Sequence, residues 1–94
     1  MGFHWDGVKS AANEVKHGMS FADAVVIFAG PVLVVEETRR DYGEQRWNAL
    51  GHTEGIVFHV TYTERNGDTR IISARKASKD ERESYERFCR ARAL

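Results

Sequence analysis

The spacing of apolar residues changes once along this chain, at Val32, and that change limits the possible folds more than any other feature. Before it, "DGVKSAANEVKHG" sets Val8, Ala11, Ala12 and Val15 on one helical face behind an Asp6 cap, with Lys9, Asn13 and Lys16 on the polar side and Gly18 as the stop. "SFADAVVIFAGP" restarts a helix: Ser20 caps it, Asp23 stands where a capping box has its acid, and Gly30-Pro31 end it. Phe21, Ala24, Val25 and Phe28 form its expected buried stripe. After Val32 the pattern is extended, in the segments "VLVVEE", "EQRWNALG", "GIVFHVTYTE" and "DTRIISAR", each bounded by Gly, Asn or Asp. Ser78 and Glu81 then open a last helix as a second capping box, with Tyr85, Phe88 and Cys89 as its apolar stripe. The order predicts an α+β fold of two N-terminal helices, a four-stranded twisted antiparallel sheet and a C-terminal helix.

With 94 residues the chain can bury one modest core, so a single domain over residues 1–94 is expected. No apolar run approaches the roughly 18 residues of a membrane span, and no basic-then-apolar leader opens the chain, which makes a cytoplasmic protein the expectation. Cys89 is the single cysteine, so it has no internal disulfide partner, and no histidine has metal-site spacing to another His, Cys or acid. Neither a metal nor a cofactor is expected. The formal charge is zero, but residues 1–64 carry five Lys or Arg against nine Asp or Glu, and residues 65–94 carry nine against five. The basic C-terminal third can face phosphate.

Asn66-Gly67 marks a hairpin, and the turn type decides which side chains share a face. A three-residue loop Arg65-Asn66-Gly67, with Gly67 left-handed, would pair Glu64 with Asp68 and Thr63 with Thr69. Phe58, Val60, Tyr62, Ile72 and Ala74 would then share one face, and His59, Thr61, Thr63, Thr69, Ser73 and Arg75 the other, with Arg70 near the turn on the apolar side. A two-residue loop mixes polar with apolar on both faces. A sheet with one buried face selects the register that segregates polarity, so the three-residue turn is the expectation.

Arg75 and Lys76 can be read as a strand end reaching solvent, but their clustering with Ser73 and Arg65 favours anion binding, since an arginine offers a planar fork of donors suited to phosphate. His59 reads most simply as a partly exposed histidine, His17 as an imidazolium at a helix C-terminus, and "KDERESYERFCRAR" as a solvated helix face. Glu44 beside Arg46 can be a solvated pair, and as a general base it would need burial or a neighbouring charge to tune it.

The strings "FHWDGVKSAANEVKHGMSFADAVVIF", "GEQRWNALG" and "VTYTERNGDTRIISARKASKDERESY" together resemble the BrnT family of type II toxin components, over nearly the whole chain and in the family's order. The strongest parts are Trp5-Asp6 with Lys9, Asn13 and Lys16-His17-Gly18, and the strand from Arg70 to Arg75 with Ala77, Glu81 and Tyr85. The resemblance implies a RelE-like ribonuclease fold and a metal-independent endoribonuclease that inhibits translation. It also implies a BrnA-like antitoxin, a dimer of toxin-antitoxin pairs, and DNA contact only through the antitoxin. With RNA as substrate, Glu44, Arg65, Arg75 and His59 are the catalytic candidates, and Lys9, His17, Arg70, Ser73 and Lys76 the RNA-binding ones. The competing expectation is a non-catalytic module whose basic sheet face docks an acidic partner.

Overall fold

The computed structural model describes residues 2–93. Local capping chemistry sets most helix boundaries. Helix α1, Gly7–His17, starts on the Asp6 carboxylate, which accepts from the N–H groups of Val8 and Lys9, and stops at Gly18 with φ +73°. The Ser20–Asp23 capping box is reciprocal and opens helix α2, Phe21–Val25, which tightens into a 3-10 turn over Val26–Ala29. Helix α3, Lys79–Ala93, begins on the Ser78–Glu81 box, with Ser78 N–H donating to Glu81 Oε1 and Glu81 N–H to Ser78 Oγ.

The strands are β1 Phe3–His4, β2 Leu33–Glu37, β3 Arg46–Thr53, β4 Ile56–Arg65 and β5 Asp68–Lys76, in the sheet order β1-β5-β4-β3-β2. The expected four-stranded antiparallel sheet is therefore a five-stranded mixed one, because Phe3 and His4 pair in parallel with Thr69 and Arg70. Two residues carry no readable periodicity, and only the presence of the β5 edge makes a strand of them.

Helix α2 and the 3-10 turn cover one face of the sheet. Phe21, Ala24 and Ile27 pack there on Ala49, Val60, Tyr62, Ile71 and Ala74, all buried, and Phe28 meets Tyr62 edge-on at 5.4 Å between ring centroids. The approach is close enough at Gly51 that a Cβ there would lie 2.8 Å from the Ile27 Cβ. Ile27 thus joins the stripe expected for this helix.

Helix α1 is turned the other way from its expected orientation. Val8 and Val15 are 80% and 90% exposed, Ala11 and Ala12 also face solvent, and Asn13 is the residue buried. The reason lies in the edge of β5 beyond its short pairing with β1. Asn13 Nδ2 donates to Ala74 O and Met19 O, both at 2.8 Å, and Asn13 Oδ1 accepts from Ala74 N–H at 3.3 Å. The carboxamide stands in for a neighbouring strand, a service no valine can perform, and buried peptide groups left unpaired are costly.

The β4–β5 hairpin also departs from expectation. Asn66 and Gly67 both have positive φ, +53° and +83°, and Arg65 pairs directly with Asp68, so the loop has two residues. Left-handed conformation at two successive positions suits Asn-Gly and matches the twist of the flanking strands. Polarity is segregated instead by a β-bulge: Tyr62 pairs with Ile71 and Thr61 with Ser73, leaving Ile72 as the extra residue. Ile71 takes the core position expected of Ile72, and Arg70 pairs with Thr63, on the polar face rather than the apolar one. Thr69 pairs with Glu64. Past the bulge His59 lies opposite Arg75, so the shared polar face survives by a different route.

Candidate active site

The polar face of the sheet carries a ladder of hydrogen bonds between side chains that runs from β4 to β2. Thr61 Oγ1 donates to Asn48 Oδ1 at 2.7 Å, Asn48 Nδ2 donates to Glu37 Oε2 at 3.2 Å, and Arg39 Nε donates to both Glu37 oxygens at 3.0 Å. Glu37 is buried, and the Arg39 hydrogen bonds hold its carboxyl at about 2. This lattice fixes the floor on which the neighbouring groups stand.

Helix α3 closes one end of that floor. Tyr85, its one buried residue, donates its hydroxyl hydrogen to Pro31 O at 2.8 Å and lies 3.0 Å from His52 Nδ1, which ties the helix to the sheet. Between α3 and β2–β4 runs an open groove of about 360 Å³, lined by Leu33, Val35, Asn48, Leu50, His59, Asp80, Glu81 and Ser84.

Three ionisable side chains meet around Glu81, at the groove's wall. Arg75 Nη1 and Nη2 donate to Glu81 Oε1 and Oε2 at 2.8 and 2.9 Å, a bidentate pair, and His59 Nε2 stands 3.8 Å from Glu81 Oε2. His59 is 9% exposed. Its desolvation, followed by the charge of Arg75, lowers its proton affinity below the ordinary imidazole value, with Glu81 opposing. The ring is thus neutral near pH 7, when it can accept a proton. Arg75 holds the Glu81 carboxyl at about 2, and Glu81 in turn raises the guanidinium above its ordinary value. The Arg75 side chain remains 40% exposed, although both of its Nη atoms are engaged by Glu81 and Nη1 also donates to Lys76 O at 3.2 Å.

Glu44 and Arg65, placed with these residues by the sequence reading, form a second cluster. Glu44 accepts from Arg65 Nη2 at 2.9 Å and from Arg46 Nε at 3.1 Å, and Arg46 stacks over the Tyr42 ring at 4.0 Å. Those hydrogen bonds, Arg65 foremost, lower the Glu44 carboxyl below its ordinary value, which weakens it as a base. Arg65 shares the polar face, but it lies six residue steps along β4 from His59, about 20 Å at ~3.3 Å per step.

The remaining candidates divide similarly. Lys9, His17 and Ser73 come together with Lys16 along a shallow groove of about 310 Å³ between α1 and the bulged edge of β5. Arg70 turns to His4, with Nη1 3.0 Å from Nδ1. Lys76 lies opposite Phe58, on the other face of β5 from Arg75, and lines a cleft with His17, Met19 and Asp23. Among the described residues no three His, Cys, Asp or Glu side chains are grouped to hold a metal ion, and no described helix is long and apolar enough to cross a membrane.

The sequence reading missed Glu81, Arg39, Glu37 and Asn48 as site residues. The Ser78-x-x-Glu81 spacing flagged Glu81, but its capping role masked its second one: the capping carboxylate has lone pairs to spare for Arg75. Nothing local in "ETRRDYG" distinguishes Arg39 from Arg40.

A search among curated proteins finds no match to the chain. The sequence profile of the ribonuclease toxin BrnT of type II toxin-antitoxin systems, however, matches residues 5–81, a span that includes α1, the whole sheet from β2 to β5 and the Arg75–Glu81 pair. On that match across most of its length, the chain belongs to the BrnT family of ribonuclease toxins of type II toxin-antitoxin systems.

Proposed function

We propose that this chain is a metal-independent endoribonuclease, a cytoplasmic toxin with a RelE-like fold that inhibits translation by cutting RNA, and that its centre is the His59–Arg75 pair. RNA supplies its own nucleophile, so the protein must hold the 2′-hydroxyl in line, accept its proton and stabilise the charge growing on the phosphoryl oxygens. The neutral imidazole of His59 takes the proton from O2′ as the P–O2′ bond forms. The P–O5′ bond breaks and O5′ takes a proton from water, leaving a cyclic phosphate and a free 5′-hydroxyl. Arg75 meets the phosphoryl oxygens, and Leu33, Val35 and Leu50 offer an apolar floor for a base. Lys9, Lys16, His17 and Ser73, along the β5 edge, bind the flanking backbone.

The observation that carries this reading is a buried imidazole directly across the strand pair from a half-exposed guanidinium. The test is cleavage of labelled RNA in excess chelator by the parent, Arg75→Ala and His59→Gln. Losing the charge-stabilising donor should slow cleavage by about 10²–10³ while circular dichroism stays unchanged. Cleavage by both variants at the parent rate would remove this centre.

The partner in this reading is a BrnA-like antitoxin whose acidic and apolar segment covers the same face, in a dimer of toxin-antitoxin pairs that contacts DNA through the antitoxin alone. Added salt should then slow association more than it speeds dissociation. One observation favours the non-catalytic alternative, a docking module: Arg75 is already paired with Glu81. RNA left intact by the parent protein in the same assay selects it.

A further inference from the structure

The Arg75–Glu81 pair has the geometry of a bound ligand. Two parallel N–H···O bonds at 2.8 and 2.9 Å set both carboxylate oxygens where the two non-bridging oxygens of a phosphodiester would bind the same guanidinium. The carboxylate that fills this place is also the one nearest the imidazole. Its Oε2 stands 3.8 Å from His59 Nε2, too far for a hydrogen bond and within about 1 Å of one.

We propose that Glu81 is an internal stand-in for the RNA phosphate, which holds Arg75 in the free protein and passes to His59 when a phosphodiester takes the guanidinium. This rests on the assignment of His59 and Arg75 as the centre. Glu81 is then a positioning residue, acting on the reaction through the imidazole.

The surroundings make the exchange inexpensive. Glu81 lies in the first turn of α3, where the helix dipole favours a negative charge in either position. Its Oε1 keeps the Ser78 N–H at 2.8 Å while Oε2 moves. The charged groups facing His59 are Arg75 from β5, Glu81 and Asp80 from α3, and Arg39 from the segment after β2; β3 contributes the uncharged Asn48 and Leu50. In the free protein Arg75 lowers the proton affinity of the imidazole and Glu81, engaged elsewhere, only partly offsets this. Phosphate on Arg75 reverses both influences at once, because the cation becomes neutralised and the carboxylate becomes free to face the ring. The base strengthens when substrate is present and stays weak when it is not.

The experiment compares Glu81→Gln with the parent. Gln keeps the capping hydrogen bonds of the box and removes the charge. The ligand is an oligodeoxynucleotide, which has the phosphodiester and lacks the 2′-hydroxyl, so it binds uncut. Three readings are taken: its affinity, the His59 ring titration by NMR with and without it, and KM and kcat on RNA across pH. Glu83→Gln, an exposed acid on the same helix, controls for the loss of one negative charge.

Freed of its internal competitor, Glu81→Gln should bind the oligodeoxynucleotide about tenfold more tightly, with KM lowered, whereas Glu83→Gln changes affinity by about twofold or less. In the parent the ligand should raise the His59 titration midpoint by about one pH unit, and in Glu81→Gln by markedly less, since an opposite charge within reach is worth about that much. The kcat should fall in Glu81→Gln although binding improves. A role confined to capping α3 would weaken stability and binding together and leave the His59 titration alone. If Arg75→Ala lowers cleavage but Glu81→Gln behaves as Glu83→Gln does, the exchange is wrong and the centre stands. If Arg75→Ala changes neither binding nor cleavage, the centre itself is wrong.

Discussion

Replacing Asn13 by alanine tests the least expected feature of the fold, the carboxamide that completes the edge of β5. The substitution removes two donated hydrogen bonds at 2.8 Å and one accepted at 3.3 Å, and leaves the Ala74 N–H, the Ala74 carbonyl and the Met19 carbonyl without their partners at a position that is 8% exposed. At about 1 kcal/mol net for each hydrogen bond, the loss is about 3 kcal/mol, with more expected if water fails to reach the orphaned groups. For a chain of this size that lowers Tm by roughly 12–24 °C, at about 4–8 °C per kcal/mol. Urea unfolding of parent and variant gives the free energy directly, and amide exchange at Ala74 shows whether the edge opens locally. Asn13→Asp should be at least as damaging, because a carboxylate would face two carbonyl oxygens with no hydrogen to offer. A loss below about 1 kcal/mol in Asn13→Ala, with Ala74 protected as before, would refute the reasoning that α1 is oriented by this carboxamide.

Other outcomes follow from the packing and the charges. Gly51→Ala should cost about 1–3 kcal/mol in urea unfolding, because its Cβ would lie 2.8 Å from that of Ile27, and most of the penalty should persist in an Ile27→Ala background, which keeps that Cβ. Glu44→Ala should leave RNA cleavage within a few-fold of the parent and cost no more than about 1 kcal/mol, as expected of partly exposed ion pairs far from His59; a hundredfold loss of cleavage would move the centre to Glu44 and Arg65. The lowered proton affinity of His59 gives stability that is complete above its ordinary value of 6.5 and is lost as pH falls below it, since the unfolded chain takes the proton first. Unfolding of the parent and His59→Gln between pH 7.5 and 5 should therefore converge toward acid, and a constant difference would show that the ring is not held neutral by burial.

Much of this architecture was legible because it is local. Asp6, Ser20 with Asp23, and Ser78 with Glu81 cap their own helices within four residues, so spacing alone placed α1, α2 and α3. The alternation in "HVTYTE" and "SAR" likewise put His59 with Thr61 and Ser73 with Arg75, although the turn expected to join the two pairs on one face was the wrong one, and the profile of charged and apolar residues carried the family resemblance. The rest was decided between segments distant in the chain. Asn-Gly at the turn and the apolar face of the core demanded different registers, and the bulge at Ile72 satisfied both, a compromise visible only when the two strands are paired. Helix α1 exposes its valines because the unpaired backbone of Ala74 outweighs its own amphipathic pattern, and that backbone comes from a strand 61 residues away. Phe3 and His4 became a strand for the same reason. The site follows suit: the pattern named His59 and Arg75, but the docking of α3 through Tyr85 and Pro31 delivered Glu81 to both of them, because a carboxylate's partners are fixed by what packs around it and not by its neighbours in the chain.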